Sequence, residues 1–516
     1  MNPIVNEPDT TFNRLTRTQL AALQAVVIVV ALCGIVYELI IAAISSYLLG
    51  DSVVQFSITI GLFMFAMGMG SLGTRLLRTN LVERFLCIEM SVALVGGFSA
   101  VVLFGVFPWT SLYRPVQYML IVIIGILVGL EIPVLTRIMT EVDGLRKSLA
   151  NVLALDYFGA LVGSVAFPLI LLPFLGLFRA SFAIGLLNAL VVLVTITMFG
   201  SVMRRPRRWI ALSIASVALL TAGMFASPAL MRFSESRLYG DPIVVHKQTP
   251  YQRIVVTRDE TTGRHRLYLD GHLQFAEGDE YRYHESLVHP VMSMPGPRRR
   301  VLILGGGDGL AAREVLTWPE VERIDLVDID PAVTRLARRF EPIARLNAES
   351  LDDPRVVLHH EDAFAFLRRA GDLFDRVIVD LPDPHNEALA KLYSVEFYRL
   401  LRRRLAEGGA FVTQASSPWA TRQAYWSIAA TIEAADMPPL SYRIAMPSFG
   451  VWGFHLARAD GARPGGFDIP KSTRYLTDDI LRCATAFPRD ETPVDVPINS
   501  MFDPKLYMLY LRELNP

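Results

Sequence analysis

The first 230 residues consist of long apolar runs with short polar breaks, whereas the rest of the chain alternates apolar and polar positions in shorter segments. A helix needs about 20 apolar residues to cross a bilayer. The pattern therefore predicts a bundle of seven membrane-spanning helices. Their approximate bounds are 20–43, 54–74, 86–107, 116–139, 150–172, 175–199 and 209–229.

Two of these runs contain residues with a specific meaning for packing. Small residues line the second run, Gly68 and Gly70 among them, and they permit close approach of a neighbouring helix. In the fourth run Glu131 is followed by Pro133, which predicts a broken helix at that point.

The charges between the runs predict an orientation. The loops after the second, fourth and sixth runs each hold several Arg or Lys, and the opposite loops hold only Arg114 and Arg179. The positive-inside rule then places the N-terminus in the cytoplasm, and seven crossings would place the second half outside. A re-entrant span or an external N-terminus would reverse that side. The sequence thus predicts a multi-pass protein of the cell (inner) membrane and leaves the side of its second half open.

Residues 243–275 alternate as strands do, with turn signals at Thr262-Gly263 and Asp270-Gly271. They predict a small antiparallel β-domain. The following segment, 301–316, reads VLILGGGDGLAAREVL: a buried strand, a glycine turn and the start of a helix near Leu310. This is the pattern of the first βα unit of a doubly wound fold.

An acid inside the glycine turn restricts the ligand. Asp308 would lie where the pyrophosphate of a dinucleotide binds, against a helix N-terminus, and the two anions would repel. Later strands also end in acids, and the carboxyl ends of parallel strands form the binding edge of such sheets. Clustered carboxylates favour a cationic guest, which predicts a positively charged nucleoside together with a polycation. The acids at this edge are Asp308, Asp328, Asp330, Asp362, Asp380 and Asp383.

Composition agrees with a chain that is half in the membrane. Apolar residues make up 52% of its 516 residues, charged residues 19%, and mean hydropathy is +0.36. The 50 Lys and Arg balance 50 Asp and Glu, which excludes an overall basic nucleic-acid binder and a disordered acidic chain. The three cysteines have no zinc-site or disulfide spacing, so no metal is predicted.

The second half resembles the spermidine synthase (polyamine aminopropyltransferase) family over about 240–460, and the apolar front resembles its membrane-bound, multi-span branch. The matching motifs are YQRIVV at 251–256, LDGHLQF at 269–275, DEYRYHESLVHP at 279–290, LGGGDG at 304–309, DPRV at 353–356, VIVDLPDP at 377–384, LYSVEFY at 392–398, VTQASSP at 412–418 and PSFGVWGF at 447–454.

The resemblance implies transfer of an aminopropyl group from decarboxylated S-adenosylmethionine, a co-substrate, to putrescine or a similar polyamine. It implies no prosthetic group, and it makes Asp380 the proton acceptor. The nucleoside-binding residues that we expect are Gln252, Gly305, Gly307, Asp328, Asp362 and Ala363. The expected amine-binding and wall residues are Gln274, Tyr283, His284, Glu285, Asp308, Asp383, Tyr393 and Gln414.

Two departures from the family pattern bear on the substrates. Asp328 stands where the family often has Glu, and the shorter acid can still reach ribose hydroxyls. Leu381-Pro382 stands between Asp380 and Asp383, the two catalytic-loop acids, where the family usually has a small polar pair. This difference leaves open which amine the protein accepts.

The sequence predicts an N-terminal all-α transmembrane bundle and a C-terminal α/β Rossmann-like, methyltransferase-type domain preceded by a small antiparallel β-domain. The expected domain ranges are 1–230, 231–290 and 291–516. The predicted partners are the polyamine, the lipid bilayer and a second copy of the chain in a homodimer, without nucleic acid. Two alternatives stay open: a same-fold enzyme with another acceptor amine or methyltransferase activity, and a non-catalytic polyamine sensor or transporter.

Overall fold

The computed structural model describes residues 17–49, 52–77, 79–107, 110–143, 145–201, 203, 205–369 and 371–514. The chain divides into two compact units, Met1–Gly240 and Asp241–Pro516.

Within its described residues the first unit consists of long apolar helices, each of which overlaps most of one predicted run. They are α1 (Arg17–Leu49), α2 (Ser52–Gly73), α3 (Leu81–Val106), α4 (Thr110–Asp143), α5 (Leu145–Ala166), α6 (Leu172–Phe199) and α7 (Pro206–Tyr239). A π-helical turn, Phe167–Leu171, joins α5 to α6.

By length and composition alone, six continuous helical stretches of the described residues could cross a membrane. One of them, Leu149–Phe199, has 51 residues and is too long for one crossing, which needs about 20. The backbone leaves the helical conformation at Gly176, where φ is 68° and ψ is 174°. This interruption lies at the start of the sixth predicted run, so the single stretch accounts for two predicted spans.

The predicted break at Pro133 is wrong. Helix α4 continues from Thr110 to Asp143 and contains both Pro115 and Pro133. Proline removes one backbone hydrogen bond, but packing against neighbouring helices can support a membrane helix across that gap. Glu131 lies buried within α4, beside Glu89 of α3.

Small residues bring α2 and α4 into direct backbone contact. A Cβ atom added at Gly70 would lie 2.1 Å from the carbonyl oxygen of Ile126, and one added at Gly129 would lie 2.1 Å from that of Met67. Gly68 has no such neighbour within 4 Å. The glycines of the second run therefore differ in role, and only the face that carries Gly70 requires the absence of a side chain.

The second unit begins with a four-stranded antiparallel sheet in the order β1-β2-β3-β4. Asp270 and Gly271 form a two-residue turn with φ values of 50° and 84°, a conformation that suits a tight hairpin. The strands are β1 (Ile243–Gln248), β2 (Arg253–Arg258), β3 (His265–Leu269) and β4 (His272–Ala276), and the helix α8 (Glu280–Ser293) follows.

A seven-stranded sheet forms the centre of this unit, in the order β10-β11-β9-β8-β5-β6-β7. Its strands are β5 (Arg300–Gly305), β6 (Arg323–Val327), β7 (Val356–His359), β8 (Phe374–Asp380), β9 (Leu405–Gln414), β10 (Leu440–Met446) and β11 (Gly450–Arg458). Strands β5 to β9 are parallel, and the β10–β11 hairpin adds antiparallel strands at one edge.

Helices cover both faces of this sheet, and the side chains of β5 explain why. Val301 and Ile303 enter one hydrophobic core, and Leu302 and Leu304 enter the other, because alternate residues of a strand face opposite sides. The remaining helices are α9 (Leu310–Leu316), α10 (Pro331–Arg339), α11 (Glu341–Leu346), α12 (Ala363–Arg368), α13 (Glu387–Ala390), α14 (Val395–Arg404), α15 (Arg422–Glu433), α16 (Asp478–Ala484) and α17 (Leu506–Leu514).

The strand order places a crevice between β5 and β8. Chain connections leave β5 toward β6 on one side and reach β8 on the other, and ligands bind at the carboxyl ends of the strands at such a switch point. Gly305 pairs with Asp380 across this boundary, so the glycine turn and the acid at the end of β8 lie side by side. This is the fold class that the sequence predicts.

The α2–α4 contact predicts a difference between two neighbouring glycines. Gly70→Ala should lower the thermal unfolding temperature of the detergent-solubilised protein, because the added methyl group meets a backbone oxygen and overpacking costs about 1–3 kcal/mol. Gly68→Ala is the matched control, and it should leave the temperature unchanged or raise it slightly because alanine favours helix. Unfolding is followed by circular dichroism. Equal unfolding temperatures for the two variants would contradict the described packing.

Candidate active site

A cavity of about 470 Å³ opens at the carboxyl ends of β5, β6 and β8. It brings together most of the residues that the sequence analysis selects from separate motifs. Those that line it are Gln252, Gln274, Tyr283, His284, Gly305, Gly307, Asp308, Asp328, Asp362, Ala363, Asp380, Asp383 and Gln414.

Three selected residues do not line the cavity. The carboxylate of Glu285 accepts hydrogen bonds from the backbone N–H groups of Arg474, Tyr475 and Leu476 at 2.6 to 2.9 Å, so it holds a distant segment in place. Asp330 is buried and caps α10, where it accepts a hydrogen bond from the backbone N–H of Ala332. The expectation that these two acids belong to the binding surface is corrected accordingly.

The third residue, Tyr393, contacts the backbone of residues that line the cavity. Its hydroxyl lies 3.1 Å from the carbonyl oxygen of Leu381 and 3.0 Å from that of Pro382. Gln414 donates to the Leu381 carbonyl at 2.6 Å. The backbone between the two catalytic-loop acids is therefore held by side-chain hydrogen bonds, although Leu381 and Pro382 have no polar side chains of their own.

Close approach of Asp380 and Asp328 explains the glycines of the turn. Gly305 has a φ of 84°, and a Cβ atom there would lie 1.9 Å from the backbone oxygen of Asp380. A Cβ atom at Gly307 would lie 2.3 Å from Oδ2 of Asp328, which accepts the Gly307 N–H at 3.1 Å. Side chains at these two positions would displace the acids from the cavity.

Asp380 is oriented by a tyrosine of the neighbouring helix. The hydroxyl of Tyr283 on α8 donates to Oδ1 of Asp380 at 2.7 Å. Burial raises the pKa of Asp380 to about 6, and the charge of Asp308 adds to the rise while His284 and Tyr283 oppose it. Near neutral pH this carboxylate is mostly ionised and can still take up a proton.

Asp383 is held by three side-chain donors. Oδ2 accepts from the hydroxyls of Tyr510 at 2.8 Å and Ser416 at 3.4 Å, and Oδ1 accepts from Gln414 at 3.3 Å. Burial raises the pKa of Asp383 to about 6, against the effect of these hydrogen bonds. Tyr510 carries no signal in the sequence, because it lies on the last helix, more than 120 positions from its partner, and outside every motif.

Asp328 and Asp362, which follow β6 and β7, are also held by hydrogen bonds. Asp328 accepts backbone N–H groups from Gly307 and Asp330, and burial raises its pKa to about 6. Asp362 caps α12 through Oδ1, and its Oδ2 lies 3.2 Å from the ammonium group of Lys391. Lys391 was also missed, although it directly precedes the LYSVEFY motif.

Aromatic and imidazole rings complete the cavity wall. His272 and His385 stack with ring centroids 4.5 Å apart, and both line the cavity together with Trp452. Trp452 belongs to the late PSFGVWGF motif, whereas no pattern in the sequence pairs the two histidines. Among the described residues, no three His, Cys, Asp or Glu side chains are arranged to hold a metal ion.

Comparison with known proteins shows the family to which the chain belongs. The Spermine/spermidine synthase domain matches residues 280–462. Polyamine aminopropyltransferase 1 of Streptomyces coelicolor is 46% identical over 488 residues, which is 92% of this chain and 91% of that protein. The polyamine aminopropyltransferase of Leptospira interrogans is 42% identical over 501 residues, 96% of this chain and 99% of that protein. The chain belongs to the polyamine aminopropyltransferase family.

Membership confirms the predicted family and makes the chain a transferase of this type, with decarboxylated S-adenosylmethionine as the co-substrate. Matches over 92% and 96% of the chain include most of its helical unit as well. A solved structure of spermidine synthase in complex with the transition state analogue AdoDATO is 27% identical, and it covers 48% of this chain and 85% of its own, with a TM-score of 0.43.

Proposed function

We propose that the protein transfers the aminopropyl group of decarboxylated S-adenosylmethionine to a diamine, with putrescine as the expected acceptor, while its helical unit anchors it in the cell membrane. A homodimer, implied by the resemblance, is part of this proposal. The observation that carries it is the charge of the cavity: Asp308, Asp328, Asp362, Asp380 and Asp383 all line it. Both proposed substrates are cations.

The aminopropyl donor, decarboxylated S-adenosylmethionine, would occupy the side of the cavity near β6 and α12. Asp328 follows β6 at the distance after the glycine turn where an acid can bind ribose hydroxyls. Asp362 and Ala363 begin α12, and Gln252 lies in the turn between β1 and β2. This assignment leaves the sulfonium centre of the donor near Asp308 and the glycine turn, where an anion stabilises it.

The amine would occupy the side formed by Asp380, Asp383 and Gln274. A carboxylate binds each protonated nitrogen, and the hydrogen bonds to Asp383 keep it in place when the amine is absent. Asp308 also disfavours the methyltransferase alternative, because the carboxylate of ordinary S-adenosylmethionine would lie beside it.

The proposed reaction needs one base and no leaving-group acid. An ammonium group cannot attack, so Asp380 first takes one proton from the attacking nitrogen. The nitrogen then forms a bond to the aminopropyl carbon that is attached to sulfur, and the bond between that carbon and sulfur breaks with its electron pair left on sulfur. The sulfonium departs as the neutral thioether of methylthioadenosine. Tyr283 keeps Asp380 directed at the nitrogen, and holding the two substrates in line supplies much of the rate.

The assignment of Asp380 predicts a large kinetic effect of one substitution. Asp380→Asn should lower kcat by about 10²- to 10⁴-fold, because the base is lost while the Tyr283 hydroxyl keeps an acceptor. Binding of methylthioadenosine, measured by calorimetry, should be unchanged. Asp383→Asn is the matched comparison and should raise KM for the amine more than it lowers kcat. An Asp380→Asn variant with wild-type kcat would contradict the assignment of Asp380 as the base.

The apolar helices predict behaviour in cell fractionation. Because six stretches of the described residues are long and apolar enough to cross a bilayer, the protein should stay in the membrane pellet after a carbonate wash at high pH. Detergent should be needed to release it. Release by carbonate alone, assayed by immunoblot beside a known peripheral protein, would contradict membrane anchoring.

A further inference from the structure

A buried hydrogen-bond network leads from the protein interior to His284 at the cavity wall. Arg313 of α9 donates to both oxygens of Glu280, at 3.0 and 2.9 Å. It also donates to Glu314, at 2.7 and 2.9 Å. Glu314 contacts Nε2 of His289 at 3.0 Å, and the ring N–H of Trp318 donates to Nδ1 of the same histidine at 3.2 Å.

This network determines which nitrogen of His284 carries a hydrogen. Nδ1 lies 2.8 Å from the carbonyl oxygen of Glu280 and 3.0 Å from its carboxylate, and both of these atoms can only accept. Nδ1 must therefore be the donor in either charge state of the ring. Nε2 is the nitrogen left for the cavity that His284 lines.

Glu280 cannot turn away from the histidine. It is 4% exposed, and the two-pronged contact with Arg313 fixes the plane of its carboxylate. Burial alone would raise the pKa of Glu280, but the hydrogen bonds and charges of His284 and Arg313 lower it to about 2. A permanent negative charge therefore lies against Nδ1.

Further negative charges face the histidine from the cavity. Asp308 in the turn before α9 and Asp380 at the end of β8 both favour the protonated ring, and Tyr283 packs edge-on against it at 5.0 Å. Burial opposes the charge, but Glu280 and these acids raise the pKa of His284 to about 8. Without a substrate, the protonated ring of His284 therefore places a positive charge on the side of the cavity where the amine would bind.

We propose that Glu280 is a positioning residue that holds His284 with Nε2 toward the amine, and that binding of the cationic amine expels the proton carried by Nε2. An ammonium group and an imidazolium in one small cavity repel each other. The proton goes to bulk water, and neutral Nε2 then accepts a hydrogen bond from the ammonium group. This inference rests on the proposed function, since it takes the amine to be the ligand.

Calorimetry of the full-length protein in detergent tests the exchange. Putrescine is titrated into protein saturated with methylthioadenosine, which prevents turnover, at pH 7.5 in two buffers of different ionisation enthalpy. A pKa of about 8 predicts release of roughly three quarters of a proton per amine. His284→Asn should abolish this release. Binding of putrescine without proton release would overturn the inference, whereas absence of amine binding would instead contradict the proposed function.

Two variants separate positioning from general stability. Glu280→Gln removes the charge beside Nδ1, so the pKa of His284 should fall and proton release at pH 7.5 should drop by more than half. Glu314→Gln alters the same network without touching His284, and it should keep the release. In the wild type, KM for the amine should decrease as pH rises through about 8, and Glu280→Gln should move that change to lower pH. Wild-type release in Glu280→Gln would overturn the positioning role.

Discussion

Seven carboxyl groups line one cavity at the edge of the central sheet: the five aspartates of the proposed site together with Asp270 and Glu361. Their mutual repulsion in a partly buried site constrains the rest of the catalytic unit. Burial raises the pKa values of Asp328, Asp380 and Asp383 to about 6. Keeping these carboxyl groups ionised requires either hydrogen-bond donors from several elements or a bound cation. The side chains and backbone N–H groups around the cavity supply the hydrogen bonds, and the two cationic substrates would supply the positive charge.

The fold provides these donors from elements that are distant in the sequence. Backbone N–H groups of the glycine turn and of helix starts support Asp328 and Asp362, whereas side chains from α8, β9 and α17 support the two acids of the β8 loop. The loop backbone at Leu381-Pro382 is itself held by Gln414 and Tyr393. In this account the acids are oriented before the substrates arrive, so that little rearrangement is needed for in-line transfer.

Local patterns predicted the parts of this arrangement that depend on neighbouring residues. The turn at Asp270-Gly271, the strand–glycine–helix unit and the acids at strand ends follow from backbone rules alone. Tertiary contacts decided the rest. Glu285 meets three backbone donors near residue 475, Tyr510 reaches Asp383 from the last helix, and α4 continues through Pro133. A single sequence contains no signal for such contacts, because they join segments that only the completed fold brings together.

The most direct test of the account is a product analysis with the purified full-length protein. Decarboxylated S-adenosylmethionine is supplied with putrescine, cadaverine or spermidine, and methylthioadenosine and the amine product are quantified by mass spectrometry. The proposed transfer predicts amine-dependent release of methylthioadenosine, in equal amount to an amine that has gained one aminopropyl group. Absence of both products with every amine, from folded protein that still binds the nucleoside, would contradict it.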